Sequence, residues 1–192
     1  MESERATHNI DAIYSKDSKI LILGSFPSRK SRELQFFYSH PSNRFWKILE
    51  ALFSVTLTTI QDKKEFLLSH DIALWDVIKQ CEIKGSSDSS IENAIPNDIS
   101  SLLDRSNIKA IFLNGKKAEE IFKRYNSVKV PVTTLPSTSA QNASYSFDSL
   151  LSSWKAMNLL GVEPRGIPPK PRDLLSENSI AAVCNPSLFL GF

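Results

Sequence analysis

Short apolar runs along this chain alternate with stretches whose apolar residues recur every three to four positions. The first run, residues 20–23 (ILIL), is bounded by Gly24 and Pro27 and reads as a buried strand ending in a sharp turn. A polar, basic loop over 28–33 leads to the rings of Phe36, Phe37 and Tyr38, next to His40, Pro41 and Asn43. A helix is predicted over 43–53, capped by Ser42 or Asn43, with Phe45, Trp46, Leu49, Leu52 and Phe53 on one face. Residues 61–69 form a shorter helix and 72–77 (IALWDV) a second strand. The stretch 81–98 reads as a polar loop, and 98–105 as a short helix with Ile99, Leu102 and Leu103 on one side. A third strand over 108–113 stops at Asn114-Gly115, and helix 116–125 turns Ala118, Ile121 and Phe122 inward. A fourth strand, 130–135, ends at Pro136 and is followed by the polar loop 137–144 (STSAQNAS). The last helix, 147–160, has Leu150, Leu151, Trp154, Met157 and Leu160 on its inner face.

Strands alternating with helices predict an α/β domain with a parallel sheet covered on both faces. Gly24, Asp76, Asn114 and Pro136 each follow a strand, so right-handed crossovers gather them on one edge, where ligands bind in open α/β sheets. Residues 1–17 read as a polar lead-in, 18–160 as the domain and 161–192 as a proline-rich tail, with Pro164, Pro168, Pro169 and Pro171 closely spaced.

Composition narrows the choice modestly. At 192 residues, 41% apolar and 23% charged, the chain suits one soluble domain, expected to be monomeric. No apolar run is long enough to span a membrane, and the first residues lack a secretory h-region. Cys81 and Cys184 lie far apart, which predicts reduced thiols in an intracellular protein and neither a metal site nor a cofactor. A net charge of +2 permits a nucleic-acid partner without requiring one.

The chemistry on offer is rings, amides, hydroxyls and a histidine, with few carboxylates and no phosphate loop or dinucleotide fingerprint. Such a set can hold a planar heterocycle by stacking and by hydrogen bonds to its edge. Two separated motifs carry a specific resemblance. GSFPS with the later FFYSHPSNRFW, and LPSTSAQNAS, resemble the two motif regions of the uracil-DNA glycosylase superfamily, closest to its hypoxanthine (deoxyinosine) DNA glycosylase branch. IALWDV and IFLNGKKAEEIF resemble its second strand and its third strand with the following helix.

The resemblance implies a three-layer α/β/α sandwich with a central four-stranded parallel sheet. It also implies a monofunctional hydrolase that flips a deaminated base out of double-stranded DNA and cleaves its N-glycosidic bond. The position that in many relatives is Asp or Asn, holding the attacking water, falls on Phe26, which can neither accept a proton nor orient water. The asparagine of the HPxN segment, Asn43, is the implied catalytic substitute. Tyr38 falls on the ring that stacks against the flipped base, with Phe26, Ser25 and His40 beside it. Ser137 takes a position filled by His or Asn in relatives, Ser139 that of a phosphate-gripping serine, and Gln141 that of the wedge filling the gap in the duplex. Thr138 and Asn142 belong to the same DNA-binding loop.

Plainer readings stand beside these. Asn43 can simply cap a helix, His40 can be structural, and Arg29, Lys30 and Arg32 can be a solvated loop. Trp46, Trp75 and Trp154 read as core. Asp88 is either a turn residue or, because its loop follows the second strand, a neighbour of the site. Phe26 also motivates an alternative, a catalytically silent nucleic-acid-binding module of the same fold. A small-molecule hydrolase on the same scaffold is a third reading.

Overall fold

A computed structural model describes residues 3–85 and 88–160. In chain order, β1 (Glu4–Thr7) and β2 (Ile20–Gly24) precede α1 (Arg29–Leu34), α2 (Phe45–Phe53) and α3 (Ile60–Ser69). Then come β3 (Ile72–Asp76), β4 (Ile78–Ile83), a 3₁₀ turn (Asp88–Ser90), β5 (Glu92–Pro96) and α4 (Ile99–Asp104). Next are β6 (Ala110–Asn114), α5 (Lys116–Tyr125), β7 (Val132–Leu135) and α6 (Phe147–Trp154), continued by a 3₁₀ turn, Lys155–Leu160.

The central sheet has the order β3-β2-β6-β7 and is parallel throughout. Every residue of β2 is buried, as a strand covered on both faces requires. Its side chains alternate between two cores. Ile20 and Ile22 join Phe45, Trp46, Ile48 and Leu49 of α2, Phe66 of α3 and Trp154 of α6. Leu21 and Leu23 join Ile99 and Leu102 of α4 and Ala118, Ile121 and Phe122 of α5. The predicted α/β/α architecture is therefore present. Each such aliphatic or aromatic side chain contributes roughly 1.5–3 kcal/mol on burial.

The register sets the site. Gly24 pairs with Asp76, Leu23 with Trp75 and Leu113, and Asn114 with Leu135. All four strands thus end at one level.

Several local features differ from the sequence expectation. Where the sequence suggests a loose start and a polar loop, β1, β4 and β5 form a three-stranded antiparallel sheet. Ala6, Cys81 and Ile83 carry it into the second core. The signal is weak because β4 buries only Ile78, Cys81 and Ile83, without strict alternation, and β5 buries none. The basic loop over 28–33 is instead α1, capped by Ser28, whose Oγ accepts from Ser31 N at 3.2 Å. Arg29 and Lys30 pair with Glu33 along it. Trp46 and Trp154 are core and Trp75 is partly buried, packing against both clusters. The readings of the proline-rich tail and of Cys184 lie outside the described residues.

Candidate active site

The pocket lies where the four strands end, between the turn after β2, the start of α2 and the loop after β7. Gly24 makes this convergence possible. A Cβ there would press into Asp76 Oδ1 and stand 2.8 Å from the Tyr38 hydroxyl. Only a residue without a side chain lets the strand end approach both groups.

Asn43 is held from two sides. Its Oδ1 accepts from the Phe45 backbone N–H at 3.0 Å and from Thr138 Oγ1 at 2.9 Å. Because a backbone N–H can only donate, the acceptor is necessarily the amide oxygen. Both lone pairs are thereby occupied, and the Asn43 amide has only its Nδ2 hydrogens to offer a ligand. Thr138 relays this contact to β6. Its Oγ1 accepts from Asn114 Nδ2 at 2.9 Å, and its N–H donates to Asn114 Oδ1 at 2.9 Å. Arg44 holds the same loop, donating to the carbonyls of Tyr145 (2.6 Å), Ser139 (2.7 Å) and Asn142 (3.0 Å).

The ring of Tyr38 stacks on Phe45, with centroids 4.0 Å apart and planes at 24°. Its backbone sits in the left-handed region, at φ 53°, which for a tyrosine is held only by surrounding structure. The Tyr38 hydroxyl and Asp76 Oδ2 are buried without a hydrogen-bond partner among the described residues. Burial first, and then the neighbouring Asp88, push the Asp76 carboxyl up to about 8, so it is protonated at neutral pH. Burial, reinforced by Asp76, also drives the Tyr38 phenol well above its usual range. Asp88 closes the other side. Its Oδ2 accepts from Ser25 Oγ at 2.8 Å, and its own carboxyl is raised chiefly by burial.

Of the expected base-binding residues, Ser25, Phe26 and Tyr38 line the pocket together with Asn43. The Phe26 ring is mostly committed, edge-on to His8 at 5.6 Å and covered by the Arg32 guanidinium at 5.3 Å. His40 is exposed, and its Nδ1 lies 2.7 Å from Ser42 Oγ. It is not among the residues lining the pocket. Ser137 and Ser139 line it, whereas Gln141 and Asn142 border the adjoining groove. Thr138 is fully buried, so its hydroxyl braces Asn43 and cannot meet DNA directly. Asp76, Asn114 and Arg44 were missing from the expected site residues. Two of them are the last residues of strands, which was the available signal; for Arg44, only its place before a helix hinted at a role. The described residues contain no group of three or more His, Cys, Asp or Glu placed to hold a metal, and no helix long and apolar enough to cross a membrane.

Residues 12–160 match the family model of the uracil DNA glycosylase superfamily. The chain belongs to that superfamily. It is accordingly a DNA glycosylase, a hydrolase whose substrate is DNA. A hypoxanthine DNA glycosylase from Methanosarcina acetivorans is 34% identical over 149 residues, covering 76% of this chain and 94% of the relative. One from Methanosarcina barkeri is 33% identical over 145 residues, covering 74% and 91%. Among solved structures, the solution structure of a provisionally assigned uracil DNA glycosylase from M. acetivorans superposes with a TM-score of 0.69 at 32% identity. It covers 78% of this chain and 94% of that one. In this member of the superfamily, the turn after the first parallel strand carries Phe26 and no carboxylate.

Proposed function

We propose that this glycosylase removes hypoxanthine from double-stranded DNA, with uracil and xanthine as further candidates, after turning the damaged nucleotide out of the stack. The observation that carries this reading is the buried, protonated Asp76 carboxyl with an unpartnered Oδ2 beside a pocket shared with the Tyr38 ring. Deamination converts an amino-bearing base edge into a lactam, with an N–H beside a carbonyl. A neutral carboxyl complements that edge, donating its O–H to the carbonyl and accepting from the N–H. The relatives named as hypoxanthine DNA glycosylases support the same choice.

Chemically, the glycosidic bond stretches toward an oxocarbenium-like sugar and an anionic base. Hydrogen-bond donors fixed in advance stabilise the developing anion. Asn43 Nδ2 suits this role, because the oxygen of the same amide is pinned by Phe45 and Thr138. In this reading Tyr38 stacks on the flipped base, an interaction worth roughly 1–3 kcal/mol per base. Ser139 serves as a phosphate contact and the exposed Gln141 as the wedge.

The test is release of free base from duplexes carrying hypoxanthine, uracil or xanthine. Hypoxanthine release by wild type supports the reading. Release of uracil alone would reassign the substrate, and release of no base would remove it.

A further inference from the structure

The first motif carries Phe26 where the attacking water would need an acceptor, and the Asn43 oxygen is doubly occupied. Neither group is free to accept a proton from water, so any base must come from elsewhere in the pocket. Two carboxyls line the pocket, and their hydrogen-bond partners differ. Asp76, 3% exposed at the end of β3, keeps its proton to about pH 8 and has no partner for Oδ2. Asp88 arrives from the 3₁₀ turn between β4 and β5. It is held by a hydrogen bond from Ser25 Oγ at 2.8 Å, and Ser25 is itself buried at the end of β2. Burial raises both carboxyls, but of the two Asp88 has a hydrogen bond and a lysine that favour its charged form, the kind of difference that divides acid and base roles.

We propose that Asp88 is the catalytic base of this glycosylase, accepting the proton of the attacking water, with Ser25 as its positioning residue. The assignment rests on the glycosylase reading above. In the step, the water oxygen bonds to C1′ of the sugar as the C1′–N bond breaks. The bonding pair leaves with the base, which takes a proton from solvent. The water proton passes to the Asp88 carboxylate and then to solvent. While ionised, Asp88 also faces the cationic sugar with a negative charge. Burial, the largest influence, raises the Asp88 carboxyl, while Ser25 and, from α5, Lys117 favour its charged form; Asp76, Tyr38 and, from β4, Cys81 are the titratable groups on which its charge acts.

A purely structural Asp88 would tie the β4–β5 hairpin to β2 and leave the chemistry unchanged. Single-turnover base release by the full chain, followed from acid to neutral pH on all three lesion duplexes, separates the two roles. Wild type should lose rate as the pH falls and Asp88 is protonated. Asp88→Asn should slow release by about 10²–10⁴-fold, abolish that acid limb and keep its affinity for abasic-site DNA. Ser25→Ala removes the hydrogen bond that favours ionised Asp88 and should move the acid limb to higher pH. Turnover by Asp88→Asn within a few-fold of wild type, or with its acid limb intact, overturns the assignment. If Asp88→Asn does not fold, Ser25→Ala and Asp88→Glu decide, and an acid limb unmoved in both overturns it. A wild type inert on all three bases overturns the glycosylase reading and this one together. An active wild type with an unaffected Asp88→Asn overturns this one alone.

Discussion

Asn43 shows how one side chain can brace the fold and still present a donor to a pocket. Helix capping and catalysis looked like alternatives for it in the sequence. In the structure its oxygen receives the Phe45 N–H at the start of α2, and its Nδ2 remains for the ligand. Capping interactions of this kind contribute about 1 kcal/mol. Asn43→Ala removes both parts and so cannot separate them. Asn43→Asp keeps an oxygen for Phe45 and Thr138 but replaces the donor with an acceptor. We expect it to fold with a melting temperature near that of wild type and to lose base release by at least about tenfold, one fixed hydrogen bond in the transition state being worth that much or more. Thermal melts beside single-turnover assays check both parts. Equal activity would confine Asn43 to the cap.

At the scale of elements, the second motif is a loop without regular structure between β7 and α6, yet it is held firmly. The Arg44 guanidinium, next to Asn43 in sequence, binds four of its carbonyls, those of Thr138, Ser139, Asn142 and Tyr145. The two motifs are joined a second time through Thr138. A fork of planar donors suits several carbonyls at once, and a lysine ammonium does not reproduce that geometry. Arg44→Lys should therefore loosen residues 137–145, speed amide exchange there and weaken DNA affinity, while the parallel sheet stays protected. Hydrogen exchange with a binding titration reads this directly. Uniformly unchanged exchange would make Arg44 a bystander.

For the whole molecule, the buried carboxyl at the end of β3 links stability to pH. The Asp76 carboxyl ionises near pH 4 in the unfolded chain and only near 8 in the folded one. The folded state therefore binds the extra proton between these values. The stabilisation is complete below the unfolded value and is lost progressively as pH rises through the folded one. Asp76→Asn keeps a donor and an acceptor without an ionisable group. It should raise the melting temperature at neutral pH by a few degrees, on the order of 1 kcal/mol or more, and flatten the decline toward alkaline pH. A variant less stable than wild type at neutral pH would show that burial of the charge is not the governing cost.

Much of this was already present in the chain. The four apolar runs and the amphipathic stretches between them determine a parallel sheet with helices on both faces, because period-two and period-3.6 patterns bury only in those forms. The polar residues after each strand determine which edge carries the chemistry, and the two motifs determine the family. The tertiary structure decided what local pattern cannot encode. A short strand with a mixed pattern such as β5 is stable only beside β4, so the antiparallel sheet and the inward reach of Asp88 became visible only in the fold. The same holds for roles. Hydrogen bonds between residues nearly a hundred positions apart turned Thr138 from a candidate DNA contact into a brace for Asn43. Exclusion of water from the strand ends makes Asp76 a neutral acid, a property that belongs to its surroundings and not to its residue type.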